Sequence, residues 1–247
     1  MSFENLNILI TGAGKGIGFE CVKNFTNKGA FVYALVRNKE DSIKFKKLNK
    51  NKFKIFYGDV RLKKNIIKIF NDSSKYNRRI NGLLNNAGIR FRKKFTDISH
   101  KEILNVFENN FFSVFYLCQF FSNYLIKNKI KGSIVNIGSI VGNLGFSELS
   151  AYASSKGALS SLTKSIAVEL AKKNIRVNTI SPGFTKTSYY NKFIKKKKLF
   201  NWTINRTPMG RWGEAKEISE LAAFLLSDKS SFITGENINI DGGWSAS

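Results

Sequence analysis

Histidine is nearly absent from this chain: His100 is the only one. A histidine-based catalytic triad or a histidine-rich metal centre is excluded by count, which removes many hydrolase mechanisms. Cysteine is almost as scarce. Cys21 and Cys118 fall in stretches that read as apolar helix faces and lack C-x-x-C or metal-ligand spacing, so two buried free thiols are expected. Only two prolines occur, and there is no Pro-rich or Gly/Ser-rich linker and no internal repeat, so a single domain over residues 1–247 is expected. The longest aromatic stretch, from Phe111 to Phe121, is shorter than a bilayer span and carries Ser113 and Gln119. Met1-Ser2-Phe3-Glu4 runs straight into a strand pattern, without a basic region followed by an apolar one. The expected location is therefore cytoplasmic, with no membrane partner.

Acidic residues are also few, 17 against 41 Lys and Arg, for a formal net charge of +24. Such an excess raises nucleic acid or an anionic membrane surface as partners. The lysines are spread through nearly every segment together with Asn, Ile and Phe, and no nucleic-acid-binding motif accompanies them. Biased amino-acid usage is the simpler account. An anionic cofactor or an acidic carrier remains compatible with the charge.

What is present is globular: 43% hydrophobic residues against 23% charged ones leaves enough apolar surface for a core and argues against disorder. Short apolar runs alternate with longer helical patterns from end to end, the pattern of βαβ units and a parallel sheet covered on both faces. Strands are predicted near 7–11, 31–36, 53–57, 82–85, 133–137, 176–180 and 237–240. Helices are predicted over 16–28, 63–75, 100–127, 152–172 and 214–226. Ser99 and Glu102 form a capping box before the third helix, and Gly29 stands where a left-handed residue stops the first. The fold class is α/β, doubly wound. The segment 185–208 breaks the rhythm with Tyr189, Tyr190, Phe193, four consecutive lysines from 195 to 198, Phe200 and Trp202. Its place late in the sheet predicts a lid over the site rather than a membrane-binding helix, for which its apolar residues are too few.

Two motifs carry chemistry. The first is Thr11-Gly12-Ala13-Gly14-Lys15-Gly16-Ile17-Gly18, directly after the first strand and opening the first helix. Glycines let the backbone approach a pyrophosphate, which then faces free N–H groups and the positive end of a helix dipole. The second is Tyr152-Ala153-Ser154-Ser155-Lys156, with Ser139 upstream at a strand end. Residues four apart share a helix face, so the Lys156 ammonium can favour ionisation of the Tyr152 phenol, whose free pKa is about 10. Ser139 lies where open α/β sheets bind ligands, and its hydroxyl can orient a substrate oxygen.

Taken in order and spacing, the glycine turn at 11–18, Asn85-Asn86-Ala87-Gly88, Ser139, Tyr152 with Lys156, and Pro182-Gly183 resemble the short-chain dehydrogenase/reductase family. The resemblance covers essentially the whole chain. It implies a Rossmann-type seven-stranded sheet, a nicotinamide cofactor, a carbonyl/alcohol oxidoreductase activity and a homotetramer or homodimer joined through the helices at 100–127 and 152–172. Carried over by position, Asn110 looks like the family's catalytic asparagine beside Ser139, Tyr152 and Lys156, with Asn109 the neighbouring alternative. Gly12, Lys15, Gly16, Ile17 and Gly18 would hold the cofactor phosphates. Asp59-Val60 resembles the adenine contact, and Asn86 with Gly88 would support the sheet beside the cofactor, or else serve turn chemistry alone. Pro182-Gly183-Phe184-Thr185-Lys186-Thr187 resembles the nicotinamide segment, with Thr185 and Thr187 as contacts.

Arg37, not an acidic residue, follows the second strand. With Lys15 it can embrace a 2′-phosphate, which favours NADP(H) over NAD(H). For the substrate two readings stay open. The run from Ser147 to Tyr152 and Arg211-Trp212-Gly213 resemble 3-oxoacyl-acyl-carrier-protein reductases. The loop Ile89-Arg90-Phe91-Arg92-Lys93 resembles that of gluconate 5-dehydrogenase, where a cation can hold a substrate carboxylate. A nucleic-acid-binding protein or a catalytically silent scaffold on this fold are the rival classes; the missing nucleic-acid motif argues against the first and the complete Ser/Tyr/Lys set against the second.

Overall fold

Strands that are covered on both faces bury both rows of side chains, so they read as continuous apolar runs. Each such run in this chain forms a strand. The computed structural model describes residues 3–76, 78–188 and 190–246; Tyr189, assigned to the lid, lies outside them, as do Met1 and Ser2. In chain order the elements are β1 (Asn7–Thr11), α1 (Gly16–Asn27), β2 (Phe31–Val36), β3 (Phe53–Tyr57), α2 (Lys63–Lys75), β4 (Gly82–Asn85), α3 (His100–Phe107) and α4 (Ser113–Lys127). There follow β5 (Gly132–Ile137), α5 (Ser150–Leu170), β6 (Ile175–Pro182), β7 (Thr185–Lys186), α6 (Tyr190–Phe193), α7 (Lys197–Arg206), β8 (Gly213–Glu214), α8 (Ala215–Leu226) and β9 (Asn237–Ile240).

Seven strands pair in parallel in the order β3-β2-β1-β4-β5-β6-β9. The order reverses at β1, and the carboxyl ends of β1 and β4 open the crevice in which such sheets bind ligands. Alternate residues of each strand face opposite layers. Ile8, Ile10, Val32 and Ala34 pack with Cys21, Val22 and Phe25 of α1 and with Ile218 and Ala222 of α8. Leu9, Tyr33 and Leu35 face the other way, toward Ile69 and Phe70 of α2, Leu117 and Phe121 of α4, and Leu159 of α5. Each such side chain contributes about 1.5–3 kcal/mol on burial. Cys21 and Cys118 are free and buried, in separate layers.

Local signals behave as expected where they are local. Ser99 and Glu102 form the capping box of α3, and Gly29 takes φ +103° after α1. The single helix predicted over 100–127 is interrupted: residues 108–112 form one π-helical turn between α3 and α4. Such a turn inserts one residue without ending the helix, so no stop signal marks it, and the extra residue is held from outside the helix by bonds described below. A 3-10 segment over Glu40–Lys47, absent from the predicted elements, is anchored by buried Phe45. In the segment 185–208, β7 pairs with β8 through Thr185 with Gly213 and Lys186 with Glu214, and α6 and α7 lie between them.

Candidate active site

The glycine turn is shaped by steric exclusion. Gly12 has φ +62°, a region that side chains with a Cβ avoid, and a Cβ there would stand 2.9 Å from Ala87 Cα. A Cβ on Gly18 would lie 2.3 Å from Gly12 O, so α1 starts directly against the turn. Asn86 fastens the arrangement: its Nδ2 donates to Thr11 O at 3.1 Å and to Gly12 O at 3.0 Å. Thr11 Oγ1 in turn accepts from the backbone N–H of Asn86 and of Ala87. Lys15, in the N-cap position of α1, makes no side-chain cap, and the first turn contains no acidic residue. The free N–H groups and the positive helix end are left for an external anion, which is what a dinucleotide pyrophosphate supplies.

Beside this turn lies a cavity of about 420 Å³. Of the residues assigned from sequence it brings together Lys15, Gly16, Ile17, Asn86, Gly88, Ser139, Tyr152, Lys156, Pro182, Gly183, Thr185 and Thr187 in its walls. Gly12 and Gly18 lie behind it, inside the packed turn. Arg37 and Asp59 follow the neighbouring ends of β2 and β3, whose pairing places Val36 beside Tyr57. Arg61 engages both oxygens of Asp59, which holds that carboxyl below its ordinary range, and Val60 packs on the core. Asn110 is fully buried and does not line the cavity.

Asn110 is where the π-turn acquires its purpose. Its Oδ1 accepts from Ile89 N at 2.8 Å, and its Nδ2 donates to Ile89 O at 2.9 Å and to Ser155 Oγ at 3.1 Å. Ser155 Oγ donates to Tyr152 O at 2.7 Å, so one buried amide joins the loop after β4 to the first turn of α5. Sequence reasoning quoted Ser155 within its motif without a role; its contact is tertiary.

The reactive groups lie at the carboxyl end of β5. Ser139 caps the 3-10 turn Ile140–Gly142 by accepting from Val141 N at 3.3 Å, which leaves its hydroxyl proton to donate. Tyr152 is half-buried in the cavity wall. Burial pushes its phenol pKa up, while the hydrogen bond with Ser139 and the charge of Arg90 pull it down. Lys156 donates its ammonium to Ile137 O at 2.7 Å and stands 5.9 Å from the centre of the Tyr152 ring. Burial lowers its pKa from 10.5 to about 8.

Apart from Arg90 and Ser188, the remaining walls are mostly apolar, with Ile89, Ile140, Phe146, Leu149, Phe184 and Trp212 among them. Trp212 is the hub of an aromatic cluster with Phe184, Tyr190, Phe193 and Phe200, its Nε1 donating to Thr203 Oγ1 at 2.8 Å. Phe146 and Leu149 had no assigned role from sequence. The available signal was two large apolar residues in the connection after a strand end, where loop residues are ordinarily polar.

A family model described as enoyl-(acyl carrier protein) reductase matches residues 12–245. The chain is a short-chain dehydrogenase/reductase. It is 37% identical over 248 residues to the 3-oxoacyl-[acyl-carrier-protein] reductase of Buchnera aphidicola, with 98% of each chain covered. It is 33% identical to the 5-keto-D-gluconate 5-reductase of Escherichia coli K12, covering 98% of this chain and 96% of that one. Among solved structures, 4-hydroxyisoleucine dehydrogenase complexed with NADH superposes with a TM-score of 0.91 at 35% identity, over 98% of this chain and 99% of the other. Membership of this family of oxidoreductases makes the chain an enzyme of carbonyl and alcohol substrates that uses NAD(H) or NADP(H). No helix among the described residues is long and apolar enough to cross a membrane, and none of their acidic, histidine or cysteine side chains form a metal-binding group.

Proposed function

We propose that this short-chain dehydrogenase/reductase interconverts a carbonyl and a secondary alcohol with NADP(H), and that Tyr152 is its acid/base. The observation that carries the reading is the convergence of Ser139, Tyr152 and Lys156 on one cavity that also receives the open N-terminus of α1. Gly12, Lys15, Gly16, Ile17 and Gly18 hold the dinucleotide phosphates, Asp59 and Val60 flank the adenine, and Pro182, Gly183, Thr185 and Thr187 meet the carboxamide end. When bound, that cofactor supplies or accepts a hydride at the substrate carbon. Tyr152 gives a proton to the substrate oxygen in reduction and takes it back in oxidation. Ser139, with its lone pair occupied by Val141 N, donates its proton to the same oxygen and orients it. Lys156, whose ammonium donates to Ile137 O, would hold the cofactor ribose and support the ionised phenol. Asn110, held by Ile89 and Ser155, would position the water of a proton relay to Lys156. Phenylalanine at position 152 should lower turnover about a thousandfold, the scale of a lost general acid, and leave cofactor binding intact. Substantial residual activity would overturn the assignment.

Arg37 beyond the end of β2 supports NADP(H), because its guanidinium is suited to a 2′-phosphate. The apolar wall of Ile140, Phe146, Leu149, Phe184 and Trp212 supports a 3-oxoacyl thioester as substrate. A second reading, a sugar acid or polyol, rests on Arg90, which lines the same cavity and acts electrostatically on Tyr152. Matched assays of acetoacetyl thioester with NADPH and of gluconate with NADP separate the two. The segment 185–208 serves as the lid of a single cytoplasmic domain. Exposed Tyr116 on α4 and Val168 on α5 are the apolar surface through which two or four copies would join, which light scattering tests.

A further inference from the structure

The π-turn buries two consecutive asparagines, and Asn110 is the one that bonds to the helix carrying Tyr152 and Lys156. Asn109 is 4% exposed and points elsewhere. Its Nδ2 donates to Asn105 O at 2.8 Å and to Asn105 Oδ1 at 3.1 Å. With the donor end fixed twice on the preceding turn, the amide cannot flip without losing both bonds, so its oxygen is presented outward. Arg37 Nη2 donates to that oxygen at 3.3 Å. Sequence reasoning had Asn109 only as the alternative to Asn110.

The choice of partner matters for what Arg37 can do next. A carboxylate would hold the guanidinium equally well and cancel the charge that an incoming anion needs. Asp59, whose charge reaches Arg37, is instead engaged by Arg61 through Nε at 3.1 Å and Nη2 at 2.6 Å. None of the ion pairs among the described residues includes Arg37. A neutral acceptor therefore fixes an exposed arginine while its charge stays available. Ordering a long side chain before the ligand arrives removes an entropy cost from binding.

We infer that Asn109 is a positioning residue for Arg37, and that through it the enzyme discriminates a dinucleotide phosphorylated on its adenosine ribose from one that is not. This rests on the proposed role of Arg37 as the phosphate-facing cation. The test is the pair of dissociation constants for NADPH and NADH, by fluorescence titration, in the wild type, Arg37→Leu, Asn109→Leu, Asn109→Asp and the Arg37→Leu/Asn109→Leu double variant. Asn109→Leu should weaken NADPH about tenfold, the scale of a hydrogen bond to a charged group, and leave NADH unchanged. Asn109→Asp, close in size and still an acceptor, should also lose preference because its charge neutralises Arg37; it carries the test if the leucine variant does not fold. In the double variant the asparagine change should add nothing to Arg37→Leu, since both act through one guanidinium. Equal weakening of both nucleotides, or an unchanged ratio, in the Asn109 variants overturns the inference while Arg37→Leu still erases the preference. If Arg37→Leu leaves the ratio unchanged, the reading of Arg37 falls and the inference falls with it.

Discussion

Asn86 binds two consecutive carbonyls of the glycine turn, Thr11 O at 3.1 Å and Gly12 O at 3.0 Å, from the end of a different strand. The bond geometry makes it a brace on the glycine turn, and it stands in the cavity wall as well.

Leucine at position 86 removes both donors and leaves two carbonyls of a tight turn without their partner. Loss of such bonds costs about 1–3 kcal/mol. The expected outcome is weaker binding of either nicotinamide cofactor, by about tenfold, and a lower melting temperature. Isothermal titration and a thermal scan check it; unaltered cofactor affinity would mean the brace is dispensable.

The pH dependence of the two reaction directions should differ. Burial holds the Tyr152 phenol protonated at neutral pH, with its pKa above the ordinary 10.0. With Tyr152 as the proposed acid of reduction, that rate should be flat through neutrality and fall only as the pH passes the raised pKa. Oxidation needs the phenolate, so its kcat/KM should climb with pH over the alkaline range. Arg90 pulls the phenol down, so Arg90→Leu should move the rising limb of oxidation to higher pH. A limb that stays in place would remove Arg90 from the electrostatics of the site.

Lys156 ties stability to pH in the free enzyme. Its pKa is about 8 folded against an ordinary 10.5, so between those values the unfolded chain holds a proton that the folded chain has released. Stability then increases as the pH rises through that window, by up to about 3 kcal/mol for a shift of this size. Urea titrations from pH 7.5 to 10.5 should show this increase in the wild type and lose it in Lys156→Met. Parallel curves would rule out the buried ammonium as its source.

A buried polar ladder crosses the sheet: Asn85 Nδ2 donates to Asn136 Oδ1, Asn136 Nδ2 to Thr163 Oγ1, and Thr163 shares a proton with Thr179. Asn136 is fully buried, so alanine there removes a bond on each side, leaving Asn85 with Cys118 Sγ and Thr163 with Thr179. A loss of about 3 kcal/mol in urea unfolding is expected, from two lost hydrogen bonds and a cavity. A loss under about 1 kcal/mol would mean water or a neighbour replaces the asparagine.

What could be read from sequence divides along local and non-local causes. The central strands were legible because they are buried on both faces, whereas β3 and β9 at the sheet edges are only half-buried. The Ser99 and Glu102 cap was legible because its partners are three residues apart. The π-turn was not, since the bond that holds it joins Asn110 to Ile89 across the fold. The cavity motifs were legible as spacings, Tyr152 with Lys156 above all. Their surroundings were not: the cation that lowers the Tyr152 phenol is Arg90 from a distant loop, not the expected Lys156, whose ammonium is bonded to the backbone of Ile137. Lysine-rich stretches such as Glu40–Lys47 gave no signal, because a single buried Phe45 anchors an otherwise polar segment.

The pairing of β7 with β8 joins Thr185 to Gly213 and Lys186 to Glu214, and so brings together the two ends of everything from 187 to 212. A segment whose ends already meet is a module. It can be exchanged, lengthened or recomposed without altering the register of the strands that carry Ser139 and the helix that carries Tyr152. Rewriting about two dozen residues there would therefore change the cavity wall at Thr187, Ser188 and Trp212 while the elements that carry Ser139 and Tyr152 stay in place.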